Sequence, residues 1–123
     1  MKFIYLILIS FVIAGCINSQ PEAKDCGYAY QECLSPAEGS CTPAFGKLDN
    51  GAVIMAERII GPEGDNCKID MRIEAPDSVK GLSASCKIPQ GVIISAAHSG
   101  DTSYLCIYCT GTMIDKFKSI KFC

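Results

Sequence analysis

Nine cysteines in 123 residues constrain this chain more than any other feature. Disulfides consume cysteines two at a time, so an odd count leaves one thiol with another purpose. Eight of them fall in the last hundred or so positions: Cys26, Cys33, Cys41, Cys67, Cys86, Cys106, Cys109 and Cys123. An even set at that density implies a disulfide framework made in an oxidising compartment. Their connectivity stays open, since eight cysteines pair in about a hundred ways. A domain of this size, without tryptophan, lies near the lower limit of what an apolar core alone holds together. Each bridge typically contributes about 2–4 kcal/mol, so four of them weigh as much as the core.

The ninth cysteine is Cys16, in the stretch Val12-Ile13-Ala14-Gly15-Cys16. Lys2 followed by FIYLILISFVIA has the charged start and short apolar run of a secretory signal peptide. It falls short of the about 20 apolar residues that cross a bilayer. Ile13-Ala14-Gly15-Cys16 resembles the lipobox of prolipoproteins, an aliphatic residue and two small ones before an obligatory cysteine. The resemblance implies cleavage before Cys16 and a diacylglyceryl group on its thiol. Two acyl chains anchor stably where one does not. The alternative is ordinary secretion with a chance cysteine near the cleavage site. The expected organisation is a signal peptide over 1–15, a lipidated cysteine and polar tether over 16–25, and one disulfide-rich domain over 26–123. Further on, GPEGDNC with an alternating strand, then SCKIP, resembles the layout of small cysteine-rich lipoproteins of archaea or bacteria with no assigned activity. That likeness carries no functional residues.

Once Lys2 is removed, ten basic side chains face thirteen acidic ones, a net charge of −3. Nucleic-acid binders carry basic patches, so that partner class is excluded. The acidic balance also argues against adsorption on an anionic membrane beyond the anchor.

Residues 52–60 and 67–74 predict an antiparallel hairpin around Gly61 to Asn66. In the second arm Ile69, Met71 and Ile73 alternate with Lys68, Asp70, Arg72 and Glu74, the pattern of a half-buried strand with one wet face. The first arm is apolar on both sides apart from Glu57 and Arg58, as a more central strand would be. Three further β segments are expected at 83–88, 91–95 and 103–110. Asp25 is expected to cap a short helix holding Cys26 and Cys33 on one face, and 35–50 to form a stapled loop. At the end, Thr112 and Asp115 resemble a capping box before a helix with Met113, Phe117 and Ile120 on one side. The fold class is therefore α+β: a disulfide-stapled antiparallel sheet of about three to five strands with a C-terminal helix packed on it. Cys123 is expected to tie that helix to the sheet. An all-β stapled domain is the alternative.

Few residues point to chemistry. Cys106-Ile-Tyr-Cys109 has the spacing of a redox C-x-x-C, which works at a helix N-terminus. Read inside a strand, its cysteines point to opposite faces and take different partners. A thioredoxin-like fold needs more chain after the motif than remains, and a zinc site needs a second Cys or His pair. His98 is the only histidine and reads as a solvated turn residue, since catalytic bases need placed partners. Alternation sends one of Glu57 and Arg58 inward, and a buried ionisable group is a possible site marker. The PEGDN loop lacks calcium-loop spacing. Tyr104 and Tyr108 share a strand face. No catalytic residue, metal ligand or cofactor is assigned. The expected function is a lipid-anchored, non-enzymatic binding or structural module on the outer side of the cytoplasmic membrane. Its ligand is an unknown protein or glycan, met through loops at 35–50 and 95–103. The rival is a membrane-tethered thiol–disulfide redox protein using Cys106 and Cys109.

Overall fold

The computed structural model describes the backbone of residues 22–99 and 101–123, and the side chains of all these but 96–99. The expected signal peptide, Cys16 and most of the expected tether lie outside the described residues. Six strands form one sheet in the order of the chain: β1 (Lys24–Gly27), β2 (Ala44–Asp49), β3 (Ile54–Glu63), β4 (Asn66–Ala75), β5 (Ser83–Pro89) and β6 (Cys109–Thr110). All neighbours are antiparallel except β1 and β2. The fold is thus the expected α+β class, with a wider and mixed sheet.

The parallel pair explains why 35–50 is no loop. Parallel neighbours need a crossover rather than a tight turn. Here a π-helical turn (Tyr30–Leu34) and α1 (Ser35–Ser40) supply it. Pro36 sits in the first turn of α1, where its missing N–H costs nothing. Because β1 starts at Lys24, the last two positions assigned to the tether are strand, and Lys24 N–H donates to the carbonyl of Pro43 at 3.1 Å. Asp25 caps no helix; its Oδ1 accepts from Gly27 N–H at 2.9 Å.

Residues of β2 to β5 alternate between a buried and a wet face, as the pattern in β4 predicts. Ala44, Ile59, Ile69, Met71, Ile73, Ala84, Cys86 and Ile88 are buried beneath the helices, which pack on that side of the sheet. The predicted hairpin is tighter than its sequence suggests. Glu63 pairs with Asn66, so only Gly64 and Asp65 connect β3 to β4. Gly46 lies on the inner face, where a Cβ would stand 2.9 Å from the carbonyl oxygen of Gly27 and 3.1 Å from Cys26 Cβ. Only glycine lets the end of β1 lie this close to β2.

Two of the expected strands are helical. Residues 91–95 belong to α2 (Gln90–Ser99), and 104–108 form α3 (Tyr104–Tyr108), leaving Cys109 and Thr110 as the short β6. Short apolar runs fit helix or strand equally, so tertiary context decides. β5 ends at Pro89 and the chain then crosses the sheet's inner face, where a helix satisfies its own backbone groups. His98 therefore belongs to a helix rather than a turn; its side chain is outside the described residues. Tyr104 and Tyr108 lie four apart on α3, not on a strand. The C-terminal helix α4 (Thr112–Ser119) buries Met113 and Ile114, with Phe117 half-buried, while Ile120 lies beyond its end and is exposed. Thr112 does not cap it. Its Oγ1 accepts from Ser83 N–H at 3.0 Å and so hooks α4 to β5.

Four disulfides join Cys26–Cys33, Cys41–Cys67, Cys86–Cys109 and Cys106–Cys123. Cys26 and Cys33 pair between β1 and the π-helical turn, not along one helix. Cys123, past the end of α4, bonds to Cys106 in α3 rather than to the sheet; Cys86–Cys109 makes the tie between β5 and β6.

Candidate functional site

Helices cover one face of the sheet and leave the other open. On the open face the strand register aligns one residue from every strand in a row: Asp25, Phe45, Arg58, Asp70, Ser85 and Thr110. A second row runs Lys47, Ala56, Arg72, Ser83. Ala56 is the small residue at the centre, between longer side chains on both sides. The face is hollowed into a groove of about 880 Å³, with Tyr28 among its lining residues.

One pair of opposite charges in the groove neutralises itself, and the other charged side chains meet uncharged neighbours. Lys47 Nζ contacts Glu74 Oε2 at 2.7 Å, a hydrogen bond that raises the pKa of the lysine and lowers that of the glutamate. Asp70 Oδ1 accepts from Ser85 Oγ at 3.0 Å. Arg58 stacks on Phe45, its guanidinium carbon 5.0 Å from the ring centroid, an arrangement that leaves the planar N–H fork accessible. Arg72 is exposed and has no hydrogen bond or ion pair among the described residues. Two guanidiniums, an aromatic wall and the hydroxyls of Ser83, Ser85 and Thr110 thus face solvent together. Guanidinium forks match carboxylates and phosphates in bidentate geometry.

The second unusual feature lies beneath the sheet. Glu57 points inward from β3 and is 5% exposed. Its Oε1 has no hydrogen-bond partner among the described residues. The side chain beside it is another carboxyl, Glu38 of α1, which accepts from Tyr30 Oη at 3.4 Å. Burial pushes the Glu57 carboxyl up to about 9, reinforced by the hydrogen bond to Glu38 and that residue's charge. Glu38 is raised by burial too, partly offset by hydrogen bonds from Glu57 and Tyr30. Burial and these carboxyls also raise the phenols of Tyr30 and Tyr104. Burial therefore favours the protonated form of both carboxyls, most strongly that of Glu57.

Sequence reasoning singled out both Glu57 and Arg58, and the structure sends them to opposite faces. It missed Glu38 and Tyr30, which lie in a segment read as loop or weak helix and meet Glu57 only through the crossover. Phe45 and Tyr28 carried no local signal. Arg72 was visible on the wet side of the alternating strand. Cys106 and Cys109 belong to different disulfides, so C-x-x-C forms no internal redox pair. Among the described residues no cluster of three or more His, Cys, Asp or Glu side chains is arranged to hold a metal. Compared with known proteins, the chain matches no protein-family model, no curated protein and no solved structure.

Proposed function

We propose that this protein is a lipid-anchored, extracytoplasmic binding module, held to the membrane through Cys16, with the open sheet face as its ligand-binding surface. Four disulfides fit an oxidising location outside the cytoplasm. No described helix is long and apolar enough to cross a membrane. The observation that carries the binding role is the groove centred on Ala56, where Arg58 and Arg72 present guanidiniums that form no ion pair among the described residues, although Arg72 is near enough to Glu74 to help lower its carboxyl. Buried or paired charge would be structural; charge left open beside an aromatic wall serves recognition. The ligand is a protein or glycan that presents carboxylates. The groove replaces the segments 35–50 and 95–103 as the place of recognition, since helix and strand occupy most of both.

A photo-crosslinking residue at Ala56 should capture a specific adduct from cell-envelope extract, and the same residue at exposed Lys80 should not. Combining the probe with Arg58→Ala and Arg72→Ala should abolish the adduct; an undiminished adduct would refute the site. Intact mass of the membrane-extracted protein should show a chain beginning at lipid-modified Cys16, and Cys16→Ser should abolish the modification. The redox rival predicts insulin reduction that Cys106→Ser removes. The two separate bridges at Cys106 and Cys109 speak against it.

A further inference from the structure

We propose that the C-terminal end of the domain is a second membrane contact, an interfacial patch that lies on the surface of an anionic bilayer. It is built from α4, the residues after it and the adjoining α3. Ile107, Ile120 and Phe122 are 74%, 59% and 53% exposed. The Cys106–Cys123 bridge, its Cα atoms 5.7 Å apart, ties the backbone beside Ile107 to the backbone beside Phe122. Phe122 is supported from behind by Phe117, with ring centroids 5.0 Å apart.

Lysines are interspersed with these apolar residues along the last helix and the chain after it. Lys116, Lys118 and Lys121 are exposed and form no ion pair among the described residues. Asp115 is the one acidic side chain from Leu105 to Cys123. From Glu22 to Tyr104, by contrast, seven basic side chains face twelve acidic ones. The net acidic charge therefore hides a basic end, and argues only against adsorption of the molecule as a whole. Exposed apolar side chains flanked by lysines suit a bilayer interface: the apolar groups enter the headgroup boundary and the ammonium groups stay among anionic headgroups. A protein partner would also cover the apolar residues, but three lysines against the single Asp115 favour the anionic surface.

This inference rests on the anchor at Cys16, and the dimensions agree with it. β1 begins eight residues after Cys16, a span of roughly 28 Å at most. From β1 to β6 the sheet is about 24 Å wide, at about 4.8 Å per strand. The anchored edge and the basic edge therefore reach one bilayer together. Because α3 and α4 belong to the helical layer, this contact turns the open sheet face, with Arg58 and Arg72, away from the membrane.

The test uses the full protein as recovered from cells, reconstituted with phosphatidylglycerol-rich or pure phosphatidylcholine vesicles. Sedimentation reports the anchor, and amide hydrogen exchange from Ile114 to Phe122 reports the patch. We expect sedimentation with both vesicles, but exchange slowed several-fold only on the anionic ones. High salt should remove the slowing, as should the triple variant Lys116→Glu, Lys118→Glu, Lys121→Glu. Ile107→Ser with Phe122→Ser should weaken it. Unchanged protection of β3 and β4 amides verifies that each variant is folded. Failure to sediment with phosphatidylcholine defeats the anchor. Sedimentation with equal exchange on both vesicles defeats the patch alone, as does slowing that survives charge reversal.

Discussion

Glu57 shows how a single side chain couples this fold to pH. Its pKa is raised above the unfolded value, so folding takes up a proton between about pH 4.5 and about 9. Its contribution is fully present below the unfolded pKa and is lost as pH rises through the folded one. Stability should therefore fall from mildly acidic toward alkaline pH, by at most about 1.4 kcal/mol per pH unit from this group. Glu57→Gln keeps the shape and supplies a permanent donor to Glu38. Urea unfolding at several pH values should show the slope flattened and the variant more stable above pH 8, by about 1–3 kcal/mol. An unchanged slope would mean that Glu57 takes up no proton on folding. Gly111 makes a different residue-level prediction. At φ +127°, its Cβ would stand 2.5 Å from the backbone oxygen of Ser83. Gly111→Ala should cost about 2 kcal/mol or more, read as a lower urea midpoint, because backbone in β5 cannot give way as a flexible side chain can.

Elements are joined here by bridges of unequal reach. Cys26–Cys33 spans 7 residues and closes a local turn, whereas Cys41–Cys67 spans 26 and fastens the end of α1 to the start of β4. In the chain-entropy account the longer loop constrains the unfolded chain more, by about 1 kcal/mol for this ratio of lengths. Cys41 and Cys67 are also both buried, so replacing them with alanine adds a packing loss. The double variant Cys41→Ala/Cys67→Ala should therefore be destabilised more than Cys26→Ala/Cys33→Ala. Denaturant unfolding of both gives the comparison, and the reverse order would show that the local bridge holds β1 more firmly than its length implies. The same logic assigns Cys86–Cys109 its importance: β6 is only two residues long, too short to stay on the sheet by backbone bonds alone.

At the scale of the whole molecule, five of the sixteen buried hydrophobic residues are half-cystines. Sulfur is thus part of the core as well as the staple that holds it. Thiol titration of denatured, unreduced domain should find none of the eight cysteines from Cys26 onward free. Reduction should abolish cooperative unfolding near neutral pH, because losing four bridges exceeds the stability of an ordinary small domain. A reduced protein that still unfolds cooperatively would show that Ile59, Ile69, Ile88, Ile114 and their neighbours suffice by themselves.

Local pattern was enough wherever the physics is local. Alternation in 67–74, the breaker at Pro89 and the helical spacing from Met113 placed the central hairpin, β5 and the last helix, while the even cysteine count implied a framework. Opposite fates for Cys106 and Cys109 were expected, though they arise from separate bridges out of α3 and β6 rather than from strand alternation. Arg72 was legible because β4 has one wet face. Other features depended on residues distant in sequence. Whether Gly91-Val-Ile-Ile or Tyr104-Leu-Cys-Ile became helix or strand turned on the sheet positions left open to them, since both runs suit either. Cysteine pairing depended on which Cα atoms folding brought within bonding distance. The parallel β1 and its crossover created both the meeting of Glu38 with Glu57 and the complete row from Asp25 to Thr110. A buried proton and a six-strand groove are properties of neighbours, and those neighbours were assigned only when the chain closed on itself.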